Sequence, residues 1–300
     1  MNLRFPGYGA LSLLLAQSSP CTEVQRGIEY ASIDGHALLL DLHLPKGGPS
    51  PHIVYVHGGA WRGGSRSDVP VKGLLDHGFA IASVDYRLST QAQFPAQIHD
   101  LKAAIRFLRA KAEALRINAD RIAIVGSSAG GHLAALTGVT NDNAELEGKV
   151  GDHPDQSSRV DAIVSFYGAS NLQSILGQST EFGLGVRAPA LKLLLGDLPD
   201  QVPALARLAS PVAHLDAADP PLLLIHGDAD PQMPLAQSEE LQKACEVARV
   251  SSRLITLTNA KHGGEAFYDR ERLRLVAEFL RLPAKSESSA MGTTSSPGRP

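Results

Sequence analysis

Cysteine is scarce in this 300-residue chain, with only Cys21 and Cys245. Two such distant cysteines exclude a disulfide framework and lack metal-ligand spacing, so two separate thiols and no metal site are expected. A surplus of either charge is also missing. The formal net charge is −3 and no block of like charge exceeds a few residues, which argues for a solvated surface and against a nucleic-acid partner. No apolar run approaches the ~20 residues of a membrane-spanning helix, so no membrane span is expected. No internal repeat is found. What the chain does have is a 43% share of hydrophobic residues, enough to bury a large core.

The ends differ from the middle. Residues 1–23 open with Arg4, an apolar stretch from Ala10 to Ala16, and a small-x-small triplet at Ala16-Gln17-Ser18, as in a secretory signal. Pro6, Gly7 and Gly9 shorten the apolar region and argue against one. Both readings stay open: a secreted or periplasmic location follows from the first, a cytoplasmic one from the second. Residues 284–300 are rich in Ser, Thr, Gly and Pro without apolar periodicity, which predicts a disordered tail.

Between them, over 24–283, short apolar runs alternate with amphipathic ones. Segments 28–34 and 37–44 flank Gly35 and predict an antiparallel hairpin. Strands are expected over 52–59, 79–86, 121–126, 159–168 and 221–230, and the last strand with its exit loop over 252–262. Apolar residues at helical spacing predict a helix over 94–115, and others follow at 128–140, 235–248 and 265–282. Such alternation implies an α/β fold: a mostly parallel central sheet, an antiparallel N-terminal hairpin and helices on both faces. Residues 141–158 read as a polar surface excursion. Residues 171–215 read as an insertion of short helices capping the sheet. Both are expected to shape any pocket.

In open α/β sheets, sites form at the carboxyl ends of strands. There "VGSSAGGHLAAL" (125–136) places G-x-S-x-G once, as Gly126, Ser128 and Gly130, between a strand and a helix. A nucleophile held on such a sharp turn needs small neighbours, and its hydroxyl projects above the sheet. The N–H of Ala129 then faces the same space at the helix N-terminus. The match alone is weak, because a Gly/Ser turn also lets strand and helix pack closely. A serine nucleophile further requires a base and oxyanion donors. "VYVHGGAWRGGS" (54–65) supplies Gly58 and Gly59 at another strand end, where glycines let backbone N–H groups approach an intermediate. Of the histidines after Ser128, His132 lies on the helix that follows the serine and reads as packing. His153 lies in the polar excursion, His214 has no strand leading to it, and His226 ends a strand and reads as orienting backbone. His262 follows the last strand on a loop and is the expected base. The acid should end the preceding strand, where "IHGDADPQMP" offers Asp228 and Asp230; Asp230 is preferred, but spacing separates them poorly.

"HGGAW", "DYRL", "FPAQIHDLKAAIRFLR", "GSSAGGHLAAL", "IHGDADPQMP" and "KHGG", in that order, resemble bacterial esterases of the α/β-hydrolase fold, in the group related to hormone-sensitive lipase and to feruloyl or acetyl-xylan esterases. The resemblance covers about residues 24–282. It implies a triad of Ser128, Asp230 and His262, with the second aspartate as the acid, and an oxyanion hole at Gly58, Gly59 and Ala129. It implies a small-molecule ester as substrate; the sequence offers no long apolar lid helix, which predicts a short acyl chain, and serine chemistry needs no metal or cofactor. Met233 departs mildly from the pattern, which favours a small β-branched residue before the proline. Asp85 and Arg87 of "DYRL" are expected to hold loops together. Three alternatives stand beside this reading: an amide hydrolase of the kynurenine-formamidase type, which shares an HGG-x-W loop; a prolyl-oligopeptidase-type peptidase, which lacks its accessory domain here; and a catalytically silent binding protein of the same fold. Nothing in the sequence fixes the natural substrate or the oligomeric state.

Overall fold

A computed structural model describes residues 23–47, 50–141 and 143–282. Residues 1–22, with the candidate signal and Cys21, and the tail lie outside the described residues. The strands are β1 (Glu23–Ile33), β2 (His36–Leu44), β3 (Ser50–Val56), β4 (Ala80–Val84), β5 (Ile117–Ser127), β6 (Ala162–Phe166), β7 (Leu222–Gly227) and β8 (Ser252–Leu257). The helices are α1 (Ala96–Ala110), α2 (Ala112–Leu115), α3 (Ala129–Gly138), α4 (Ala144–Glu147), α5 (Ile175–Gln178), α6 (Glu181–Leu195), α7 (Pro203–Leu208), α8 (Leu235–Ala248) and α9 (Arg270–Leu280).

The strands form one eight-stranded sheet in the order β1-β2-β4-β3-β5-β6-β7-β8. β1, β2 and β4 pair antiparallel, and every pairing from β4–β3 onward is parallel. The expected hairpin thus forms the edge of a mostly parallel sheet. Alternate residues of the central strands feed two separate cores, as the two-residue period requires. Val54, Ile122, Ile124 and Leu224 pack with α1, α3, α6 and α8 on one face. Ile53, Val125, Leu223 and Ile225 pack with the 3-10 turn Pro70–His77 and α9 on the other. Both faces are covered, which explains why β3 to β7 read as nearly continuous apolar runs.

Two expectations need correction. The single helix expected over 94–115 is interrupted at Lys111, where φ reaches −105°, and its last turn, α2, stops at Arg116 in the left-handed region. The helix expected over 265–282 is also divided: Glu265–Phe267 form a 3-10 turn, and Asp269 caps α9, which starts at Arg270. The segment 141–158 lies at the surface, as expected, and is anchored there. Glu147 of α4 pairs with Lys102 (3.0 Å) and Arg106 of α1 and accepts the Ser158 hydroxyl (2.7 Å). Lys102 also donates to the Thr140 carbonyl (2.7 Å). These cations lie on the buried side of α1 and need partners that only a non-local segment supplies.

Candidate active site

The site is assembled at the carboxyl ends of β3, β5, β6, β7 and β8. Ser128 follows β5 directly and caps α3. Its backbone is strained, at φ 56° and ψ −119°, a region that a residue with a side chain adopts only when its surroundings enforce it. Here the Ser128 N–H donates to the Phe166 carbonyl at the end of β6 (2.9 Å). Tight backbone contact completes the constraint: a Cβ on Gly130 would lie 2.1 Å from the Val56 carbonyl oxygen, and one on Gly126 would lie 2.1 Å from the Gly130 oxygen. The glycines of G-x-S-x-G are thus required by space.

The Ser128 Oγ–H and His262 Nε2 are 2.8 Å apart. His262 Nδ1–H donates to Asp230 Oδ2 at 2.6 Å. Asp230 Oδ1 accepts the N–H groups of Gln232 (2.8 Å) and Met233 (2.9 Å), so the carboxylate is fixed from both oxygens. Burial pushes the Asp230 carboxyl up, but His226 and His262 beside it and the Met233 N–H outweigh burial and hold it well below the usual carboxylate range. Asp228 is used differently: its Oδ1 accepts the Asn259 N–H (2.6 Å) and ties the β7 exit to the β8 exit. Geometry therefore separates the two aspartates that spacing leaves open.

Gly58 and Gly59 line the same pocket as Ser128 and His262. A Cβ on Gly58 would lie 3.3 Å from the Ser128 Cβ, so this backbone passes directly beside the serine. Gly59, at φ 113°, turns the loop, and its carbonyl accepts the N–H groups of Arg62 (3.1 Å) and Gly63 (3.0 Å). Ala129 is the first residue of α3, where an N–H has no carbonyl one turn earlier. His132 is a packing residue, as expected. It accepts the Trp61 Nε1–H (3.0 Å) and donates to the Ala209 carbonyl (2.7 Å), which pins the 57–64 loop to α3. His226 Nε2–H donates to the Met233 carbonyl (3.0 Å), and Nδ1 bonds the Ser238 hydroxyl (2.7 Å), bracing the Asp230 loop. The two "DYRL" residues hold loops: Arg87 pairs with Asp100 (2.7 Å), and Asp85 pairs with Arg66.

Several pocket residues escape sequence reasoning. Ser127 lies next to the serine but faces away from His262; it bonds the hydroxyls of Tyr55 (3.1 Å) and Tyr268 (2.7 Å), and Tyr268 bonds Tyr167. Burial raises all three phenols, so they stay protonated. Tyr167 stands edge-on to the His262 ring, with centroids 4.7 Å apart. Its place after β6 was the one sequence signal available; Tyr268 gave none. Val186 and Arg187 of α6 and Gln232 complete one wall of a pocket of about 410 Å³. The insertion 171–215 thus shapes the pocket as expected. The excursion 141–158 contributes none of its lining residues.

A model of the BD-FAE family matches residues 40–245. The chain belongs to the BD-FAE family. It is 31% identical over 219 residues to Esterase LipC of Mycobacterium tuberculosis (strain ATCC 25618 / H37Rv), covering 72% of this chain and 53% of that protein. It thus spans about half the length of the curated relatives it matches. Among solved structures, the truncated form of a carbohydrate esterase from gut microbiota shares 30% identity at a TM-score of 0.78, over 86% of this chain and 95% of that one. An acetyl ester-xyloside bifunctional hydrolase from Caldicellulosiruptor lactoaceticus shares 28% identity at a TM-score of 0.66, over 80% and 87%. The fold is that of the α/β-hydrolases, and the resemblance to the hormone-sensitive-lipase-like group holds.

Proposed function

We propose that this chain is a serine carboxylesterase that hydrolyses short-acyl esters, with acetyl or feruloyl esters of plant polysaccharide as its natural class. The observation that carries the reading is the continuous relay from Ser128 Oγ to His262 (2.8 Å) and from His262 to Asp230 (2.6 Å), with the Gly58 backbone passing directly beside the serine. His262 Nε2 takes the hydroxyl proton as Ser128 Oγ attacks the ester carbonyl carbon. Asp230 stays ionised, holds the imidazole tautomer and stabilises the cation that forms. The N–H groups of Gly58, Gly59 and Ala129 receive the oxyanion. The C–O bond to the alcohol breaks, and His262 returns the proton to the leaving oxygen. Water then attacks the acyl-enzyme, again losing its proton to His262, and the acid leaves as Ser128 is restored. None of these steps calls on a group beyond the chain, the ester and water.

The substrate class draws support from the carbohydrate and acetyl ester-xyloside hydrolases among the structural relatives. A pocket of about 410 Å³ with mixed polar and apolar walls suits a small ester. The test is hydrolysis of 4-nitrophenyl acetate, butyrate and decanoate by the wild type and by Ser128→Ala. The wild type should favour the two short esters, and Ser128→Ala should lose about 10⁴-fold or more in kcat. Equal activity in both proteins would overturn the assignment of Ser128.

A further inference from the structure

One pocket residue has no part in these steps. Arg187 is only 1% exposed, yet it lines the pocket that holds Ser128 and His262. Its Nε–H donates to the Gln232 carbonyl (3.1 Å). Nη2 is buried and has no hydrogen-bond partner. The acid whose charge acts on it, Asp230, is occupied by His262, Gln232 and Met233. Burial lowers the guanidinium to about 10, so it remains a cation at neutral pH.

The other buried cations of the fold are treated differently. Lys102 meets both a carboxylate and a carbonyl, and Arg106 meets the same carboxylate and two carbonyls. The chain therefore supplies an anion to a buried cation where the role is structural. At Arg187 it supplies one carbonyl and leaves Nη2 without a partner, in the wall of the pocket that also holds Ser128. A guanidinium fork matches a carboxylate in shape, charge and donor number. We propose that Arg187 is a specificity-determining residue that binds a carboxylate carried by the ester substrate, so that the preferred substrates are anionic esters. This rests on the esterase reading above and narrows its substrate class.

The carboxylate has two places to sit, on the acyl or on the alcohol side of the scissile bond, and two matched pairs separate them. Monomethyl glutarate is compared with methyl valerate for the acyl side, and 4-acetoxybutanoate with butyl acetate for the alcohol side, by acid release at constant pH. In the wild type, the anionic member of one pair should exceed its neutral partner by about tenfold in kcat/KM, mostly through KM. Arg187→Gln should abolish that preference, lowering kcat/KM for the anionic ester about tenfold more than for its neutral partner, and Arg187→Lys should restore part of it. No anionic preference in either pair overturns the proposal, as does a preference that survives in Arg187→Gln. If Arg187→Gln does not fold, the wild type decides alone: glutarate must inhibit 4-nitrophenyl acetate hydrolysis more strongly than valerate, and equal inhibition refutes the idea. Failure of the esterase reading looks different, since the wild type would then cleave 4-nitrophenyl acetate no faster than Ser128→Ala.

Discussion

Ile124 and Ser128 are four residues apart and belong to opposite kinds of structure. Ile124 is fully buried, lies in regular register with Val54 and Ile163, and is interchangeable in principle with other apolar residues of its size. Ser128 is strained, partly exposed and held by contacts from three strand ends. The same division runs across the sheet. Of the non-glycine residues with positive φ, Ala60, Trp61, Ser128 and Tyr167 all follow the carboxyl ends of β3, β5 or β6. The strand bodies provide stability that is distributed and replaceable. The strand ends hold conformations that have no local justification and persist because their neighbours enforce them.

The sharpest way to break this division is at the glycine under the serine. Gly130→Ala puts a Cβ 2.1 Å from the Val56 carbonyl oxygen, backbone against backbone, with no flexible side chain to yield. A loss of about 4 kcal/mol or more, or failure to fold, is expected by denaturant titration. Near-native stability would mean that the elbow is looser than its contacts imply. Next comes the strand body: Ile124→Ala should cost about 2–5 kcal/mol of stability. The surviving folded fraction should keep kcat/KM within about threefold of the wild type, because the site's own constraints are untouched. A large catalytic loss per folded molecule would show that body and ends are not separable.

A smaller effect probes the brace between them. His132 is held neutral by burial, at about 4 against an ordinary 6.5. Its Nδ1 already accepts the Trp61 N–H, so a proton there would set an Nδ1–H donor against the Trp61 Nε1–H donor. The unfolded chain binds this proton first. The contribution is therefore complete above about pH 6.5, falls as pH drops toward 4, and reaches at most ~3 kcal/mol. His52, similarly buried and lowered to about 4, acts in the same window at the opposite end of β3. Melting temperatures from pH 7 to 4 should fall less steeply in His132→Gln than in the wild type. Identical slopes would exclude His132 as the sensor.

The division also explains what was legible in the sequence. Strand bodies announce themselves because burial on both faces forces apolar runs. That is how β3 to β7 and the helix 235–248 were recognisable. Ser128, Gly58, Gly59 and His262 were readable because loops at strand ends concentrate glycine and polar residues in a fixed order. Spacing places the acid only to within two residues, since Asp228 sits in the same turn; the contact of Asp230 with His262 and that of Asp228 with Asn259 distinguish them. Tyr268 and Arg187 were not readable at all. One enters from a turn before α9 and the other from the interior of α6, and nothing local marks a tyrosine or an arginine that the tertiary fold brings to a site. The buried Lys102 and Arg106 were hidden for the same reason, because their partner Glu147 is more than forty positions away.

The relay joins residues 134 positions apart, and His262 leans on strands that are the last to be made. During refolding, the apolar bodies of neighbouring strands gain contacts early, whereas the relay closes only after the longest loop has been drawn in and β8 has docked. The chain's single tryptophan, Trp61, is sealed into the first half of the molecule. Its fluorescence and closure of the Ser128–His262 contact therefore mark two different moments in the life of one chain: burial of the framework, and completion of the proposed active site.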